Sequence, residues 1–120
     1  MVNNGTLTVS NRTLSGNNAG SGGGIINFNS GTLMVANSTF SGNRATFGGG
    51  IDNAGDVLTV VNITFSGNSA ANSGGGIYNN SGSTLIVNNS TLSAGSATNG
   101  GGRDGLGLAS QLQGQTEPRV

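Results

Sequence analysis

The stretch Thr39-Phe40-Ser41-Gly42-Asn43, followed after a short link by Gly48-Gly49-Gly50-Ile51-Asp52-Asn53, decides the fold. Its outline recurs through the chain. Glycine triplets stand at 22–24, 48–50, 74–76 and 100–102, so successive starts differ by 48−22, 74−48 and 100−74, which is 26 each time. The Phe/Leu positions Leu14, Phe40, Phe65 and Leu92 are spaced 26, 25 and 27. The leading leucines Leu7, Leu33, Leu58 and Leu85 follow the same 26, 25 and 27. Length changes fall in the links while apolar positions keep their place, which is what stacked coils require.

Each period holds three short extended segments. The first is Leu7-Thr8-Val9, repeated as Leu33-Met34-Val35, Leu58-Thr59-Val60 and Leu85-Ile86-Val87. Apolar residues alternate there among β-branched neighbours, a strand pattern. The second is Thr-Leu-Ser at 13–15 and 91–93 and Thr-Phe-Ser at 39–41 and 64–66. One large apolar residue lies between two hydroxyl residues, again with strand alternation. The third follows the glycines as Ile25-Ile26-Asn27, Ile51-Asp52-Asn53 and Ile77-Tyr78-Asn79. Glycine at this density opposes helix.

Three short strands cannot close a core alone, but stacked periods can. Each strand then pairs in parallel with its equivalent one period later, about 4.8 Å away. The expected fold is all-β, a right-handed parallel β-helix (solenoid) of about four coils of about 26 residues, with three short strands per coil. Leu7, Leu14, Ile25 and their equivalents point inward. Asn takes the corners: Asn11, Asn37, Asn62 and Asn89 after the first strand, Asn17, Asn43 and Asn68 after the second, and Asn27, Asn53 and Asn79 after the third. Asn tolerates left-handed backbone, and stacked amides bond one another along a sheet axis. The repeats span 1–102 (about 5–30, 31–55, 56–82 and 83–102), and 103–120 form a non-repeat tail expected to be disordered or loosely attached. The N-terminus is read as starting within the first strand. Both ends of the stack are open edges, which recruit further strand. The expected partners are adjacent β-helix repeats of a longer parent, or a second copy stacked end to end.

The repeats resemble those of the polymorphic outer-membrane proteins, autotransporter passengers marked by FxxN and GGA[ILV] motifs. Phe40-Ser41-Gly42-Asn43 and Phe65-Ser66-Gly67-Asn68 match FxxN, and Leu14-Ser15-Gly16-Asn17 matches with Leu for Phe. Gly49-Gly50-Ile51 and Gly75-Gly76-Ile77 are similar to GGA[ILV] with Gly for Ala. The wider pattern resembles pectin-lyase-like β-helices. The resemblance implies a surface-exposed or secreted bacterial protein, extracellular or on the outer membrane, with a role in adhesion or polysaccharide processing. It makes carbohydrate or a host or cell surface the expected ligand.

Composition narrows the chemistry. Four Arg balance four acids with no His, so the formal net charge is zero. Scattered Arg12, Arg44, Arg103 and Arg119 do not form the clustered cations that phosphate backbones need, and no nucleic acid is expected. No apolar run is long enough to span a bilayer, and residues 1–5 lack the features of a secretory signal. Absence of Cys and His removes thiolate and imidazole chemistry. Calcium binding would need a carboxylate at a fixed place in every repeat, yet the equivalents of Asp52 are Ile26, Tyr78 and Asp104. No metal, cofactor or catalytic residue is therefore expected.

The Asn of the first corner column each open a glycosylation sequon, but corner geometry is the better explanation of them. Among charged residues, Asp52, Asp56 and Arg44 are the candidates for a lyase or glycosidase site, with Asp52 expected to face outward beside Ile51 and Asn53. The plainer reading is unrelated surface charges. The remaining candidate is a surface array, Thr13, Thr39, Thr64 and Thr91 beside Ser15, Ser41, Ser66 and Ser93. Hydroxyls there lie about 6.7 Å apart within a strand and about 4.8 Å apart between coils. Such a flat uncharged grid suits glycan or ice binding. Thr and Ser also suit an exposed strand, however, and duplication makes any residue periodic, so the plainer reading is favoured and the array is the lower-ranked alternative. The favoured function is a structural or adhesive segment of a surface protein. A fragment of a carbohydrate-active β-helix enzyme is the alternative.

Overall fold

The computed structural model describes residues 1–80, 82–93, 96 and 97. The tail 103–120 and the fourth glycine triplet lie outside the described residues. Every pairing among the named strands is parallel. The first face stacks Thr6–Ser10, Thr32–Ala36, Val57–Val61 and Thr84–Asn88. The second stacks Thr13–Ser15, Thr39–Ser41, Thr64–Ser66 and Thr91–Ser93. The third stacks Val2–Asn3, Ile25–Phe28, Ile51–Ala54 and Ile77–Asn79. From Val2 through Ile26 and Asp52 to Tyr78 the chain makes three full turns, and the last two strands begin another. The result is the parallel β-solenoid that the period requires. Among the described residues no helix is long and apolar enough to cross a membrane.

Like side chains stack on like. Leu33, Leu58 and Leu85 form one buried column, Val35, Val60 and Val87 a second, and Ile25, Ile51 and Ile77 a third. Phe40 lies on Phe65 with ring centroids 4.9 Å apart and planes 14° from parallel, close to the strand spacing itself. Each such buried side chain contributes about 1.5–3 kcal/mol relative to exposure. Leu7 and Leu14 pack on the same core from the first turn and stay partly covered.

Two features go beyond the sequence reading. The link after the second strand is itself a short sheet, Arg44–Phe47 paired with Ser69–Ser73. Ala45 and Ala70 point inward from it, and single bridges extend it to Asn18, Ser21 and Ser96. The repeat is one residue longer here in the later turn. A register shift between Ala70 and Ser73 absorbs the extra residue, as a bulge does. The N-terminus also differs. Val2–Asn3 belongs to the third face, not the first, and pairs with Ile26 and Asn27.

The three Asn columns do different work. Asn11, Asn37, Asn62 and Asn89 take left-handed backbone, with φ of 55°, 50°, 55° and 48°, as corner residues should. The other two columns bond along the axis and, apart from the exposed Asn17, turn inward. Asn3 Nδ2 donates to Asn27 Oδ1 (2.9 Å), Asn27 to Asn53 (2.9 Å) and Asn53 to Asn79 (2.7 Å). Asn17 likewise donates to Asn43 and Asn43 to Asn68, each at 3.0 Å. These amides also satisfy corner carbonyls such as Gly31, Val57 and Thr84. An amide both donates and accepts, so it repeats indefinitely along a stack and closes a corner that apolar residues would leave unbonded.

The glycine triplet is fixed by crowding. Gly48 has φ of 65°. A Cβ on Gly49 would collide with the carbonyl oxygens of Gly75 and Ser69, and one on Gly50 would lie 3.0 Å from the Phe65 ring. Successive turns approach too closely at this corner for any side chain.

Candidate functional site

The Thr/Ser array lies on the second face. Thr13, Thr39, Thr64 and Thr91 are register neighbours, as are Ser15, Ser41, Ser66 and Ser93. The central Phe40, Phe65 and Leu92 are buried, so Thr39, Ser41, Thr64, Ser66 and Thr91 beside them point away from the core. Thr13, Ser15, Thr64 and Thr91 are exposed, and Thr39, Ser41 and Ser66 are partly covered. The adjoining first face does not continue the pattern. Its outward positions are Thr8, Met34, Thr59 and Ile86, and Met34 is 43% exposed.

Asp52 departs from expectation. It occupies the outward position between Ile51 and Asn53, yet it is only 4% exposed. Its neighbours on the sheet are Ile26 and Tyr78. Phe47, from the short sheet at the adjoining corner, meets Tyr78 with ring centroids 5.2 Å apart and planes 43° apart. These side chains, with Ser21 and Asn80, enclose Asp52 in a concavity of about 240 Å3. No long loop builds it. Two aromatic residues from different strands do. Asp56 and Arg44 are exposed and do not line this concavity, so the three charged candidates are not brought together.

Burial pushes the Asp52 carboxyl up from its ordinary 3.8 to about 6, while a side-chain hydrogen bond with Ser21 pulls the other way. Asn80 Nδ2 donates to Asp52 Oδ1 across a long 3.3 Å. The folded chain thus holds this proton more tightly than the unfolded chain. Stability gained from the neutral form is complete at acidic pH and is lost as pH rises from about 4 to about 6. The shift corresponds to about 3 kcal/mol, reduced to about 1–2 by solvent at the open side. Asp52→Asn should stabilise the chain by that amount at pH 7.5 and leave stability at pH 4 nearly unchanged. Urea unfolding of both proteins at the two pH values checks this. Equal pH slopes for wild type and variant would show that Asp52 is solvated.

Neither the burial of Asp52 nor the short sheet that supplies Phe47 was visible in the repeat pattern. The available signal was the departure itself: Asp where the repeat has Ile26 and Tyr78, and Phe47 where its bridge partner is Ser21.

No curated protein and no solved structure matches the chain. Residues 62–80 match the family model of the Chlamydia polymorphic membrane protein (Chlamydia_PMP) repeat. The matched segment runs from the left-handed corner at Asn62, through Phe65-Ser66-Gly67-Asn68, to the third-face strand at Ile77–Asn79. Over that segment, less than one full turn, the chain is similar to a repeat of a bacterial surface-protein family.

Proposed function

We propose that this chain is a binding segment of a bacterial surface protein, a rigid stack that presents its second face to carbohydrate on a cell or host surface. The observation that carries the reading is the register of that face. Two columns of hydroxyl residues run side by side with no charged residue in the four strands of that face. A flat, uncharged hydroxyl surface on a stiff scaffold suits an extended, neutral, hydroxyl-rich ligand, which it meets by many weak contacts at little ordering cost. The similarity of residues 62–80 to a polymorphic membrane protein repeat supports an outer-membrane or surface location. The enzyme reading is weaker. A glycosidase of the usual kind needs a second carboxylate facing the first, and among the described residues Asp52 is the one carboxylate lining its concavity.

Labelled chain applied to a panel of immobilised polysaccharides tests the reading. Retention on at least one of them is expected, with a loss of about tenfold or more in the double variant Thr39→Lys, Thr64→Lys. Thr59→Lys, on the neighbouring face, is expected to bind as wild type. Retention unchanged by the double variant, or no retention of the wild type, would overturn the proposal.

A further inference from the structure

The Asp52 concavity is a second feature, independent of the hydroxyl face. We infer that it is a sugar-binding site that takes a single pyranose ring, packing the ring's C–H face on Phe47 and Tyr78 and hydrogen-bonding its hydroxyls to Asp52, Asn80 and Ser21. Four observations lead there. The first is an under-bonded buried acceptor. A carboxylate offers about four lone-pair sites. Asp52, 4% exposed, uses them on one long bond from Asn80 and one from the Ser21 side chain. A buried polar group with so few partners is costly unless something fills the remaining sites.

The second is the apolar wall. Phe47 and Tyr78 meet with ring centroids 5.2 Å apart and planes inclined at 43°, and both are half-buried, so their rings form an angled apolar wall beside the carboxylate. Aromatic platforms next to hydrogen-bonding groups match the two chemistries of a sugar, whose ring has apolar C–H faces and a polar rim. The third is size. About 240 Å3 is smaller than the usual range for drug-sized ligands and suits one ring.

The fourth is that repetition does not explain the site. The core columns and the Thr/Ser columns of the second face repeat their residues from turn to turn. Here Asp52 lies between Ile26 and Tyr78, and Phe47 between Ser21 and Ser73. Departures from a self-consistent pattern, made at a cost in stability, are where function concentrates. An organic cation is the competing occupant. It would need acceptors only, whereas Tyr78 and the second amide hydrogen of Asn80 also offer donors, as hydroxyl ligands require.

The test is an NMR titration of the chain with glucose, galactose, N-acetylglucosamine and, separately, tetramethylammonium. Millimolar binding is the scale for one sugar ring. The expected result is saturable shifts at residues 21, 47, 52, 78 and 80 with at least one of the sugars, and at least tenfold weaker binding in Asp52→Ile and in Phe47→Ser. Both substitutions copy residues that the repeat already carries at the equivalent places, Ile26 and Ser21, and so preserve the stack. Shifts with none of the sugars well above millimolar concentration would overturn the inference. So would larger shifts from tetramethylammonium, or undiminished sugar binding in both variants. None of these outcomes bears on the hydroxyl face, which Thr39→Lys with Thr64→Lys addresses separately.

Discussion

Asn53→Asp is expected to destabilise the chain by about 3–5 kcal/mol at pH 7.5, much of the stability of a domain this size. The substitution preserves shape and volume and changes only polarity. Asn53 Nδ2 donates to Asn79 Oδ1 at 2.7 Å and to the Thr84 carbonyl at 3.1 Å, while Oδ1 accepts from Asn27 at 2.9 Å. A carboxylate keeps the accepting role and loses both donors. Two acceptors then face a buried anion across hydrogen-bond distance, in a column that is fully buried from Asn27 to Asn79. Lowering the pH should restore part of the stability, because a protonated carboxyl regains one O–H donor. The exposed column supplies the control. Asn62 donates to Asn37 at 3.1 Å in solvent, and Asn62→Asp should cost less than about 1 kcal/mol. Urea midpoints at pH 7.5 and 4.5 measure both. Comparable losses at the two sites would mean that the inward ladder is not what closes the corner.

Phe40→Ala is expected to cost about 3–5 kcal/mol, the range for emptying an aromatic site in a core that cannot collapse. Collapse is blocked by the fold itself. Phe65 lies on one side at 4.9 Å, and a Cβ at Gly24 would already come within 2.8 Å of the Phe40 ring, so the backbone is at its closest approach there. Phe40→Leu should be milder, since Leu14 and Leu92 hold the same column in other turns. Denaturant unfolding distinguishes the two. A Phe40→Ala loss below about half a kcal/mol would place that ring outside the core.

The repeat was legible where one kind of residue does one kind of work in every turn. Leu33 and Val35 alternate with outward residues, and Phe40 recurs as Phe65, so strands, register and core followed from period alone. The short sheet at Arg44–Phe47 was not legible. Its inward residue is only Ala45, too small to announce a strand, and the turn-to-turn bulge blurs its spacing. The hint was the recurring Asn-x-Ala of Asn43 to Ala45 and Asn68 to Ala70. Val2–Asn3 was misplaced because the corner from Asn3 to Leu7 is shorter than that from Asn27 to Leu33, although Asn3 joins the same ladder. Asn columns with one residue type proved to have two roles, since backbone angle and burial, not identity, separate Asn62 from Asn53. Asp52 could not be read as buried, because its cover comes from Phe47, which reaches it only once the corner is folded.

The central claim is parallel, in-register stacking of one turn on the next. The most direct test is the pattern of backbone NOEs between the second and third strands of the first face. Leu33 should contact Leu58 and Val35 should contact Val60, with the order preserved from Thr32 against Val57 to Ala36 against Val61. Reversed order, Leu33 against Val60 and Val35 against Leu58, would contradict the stack.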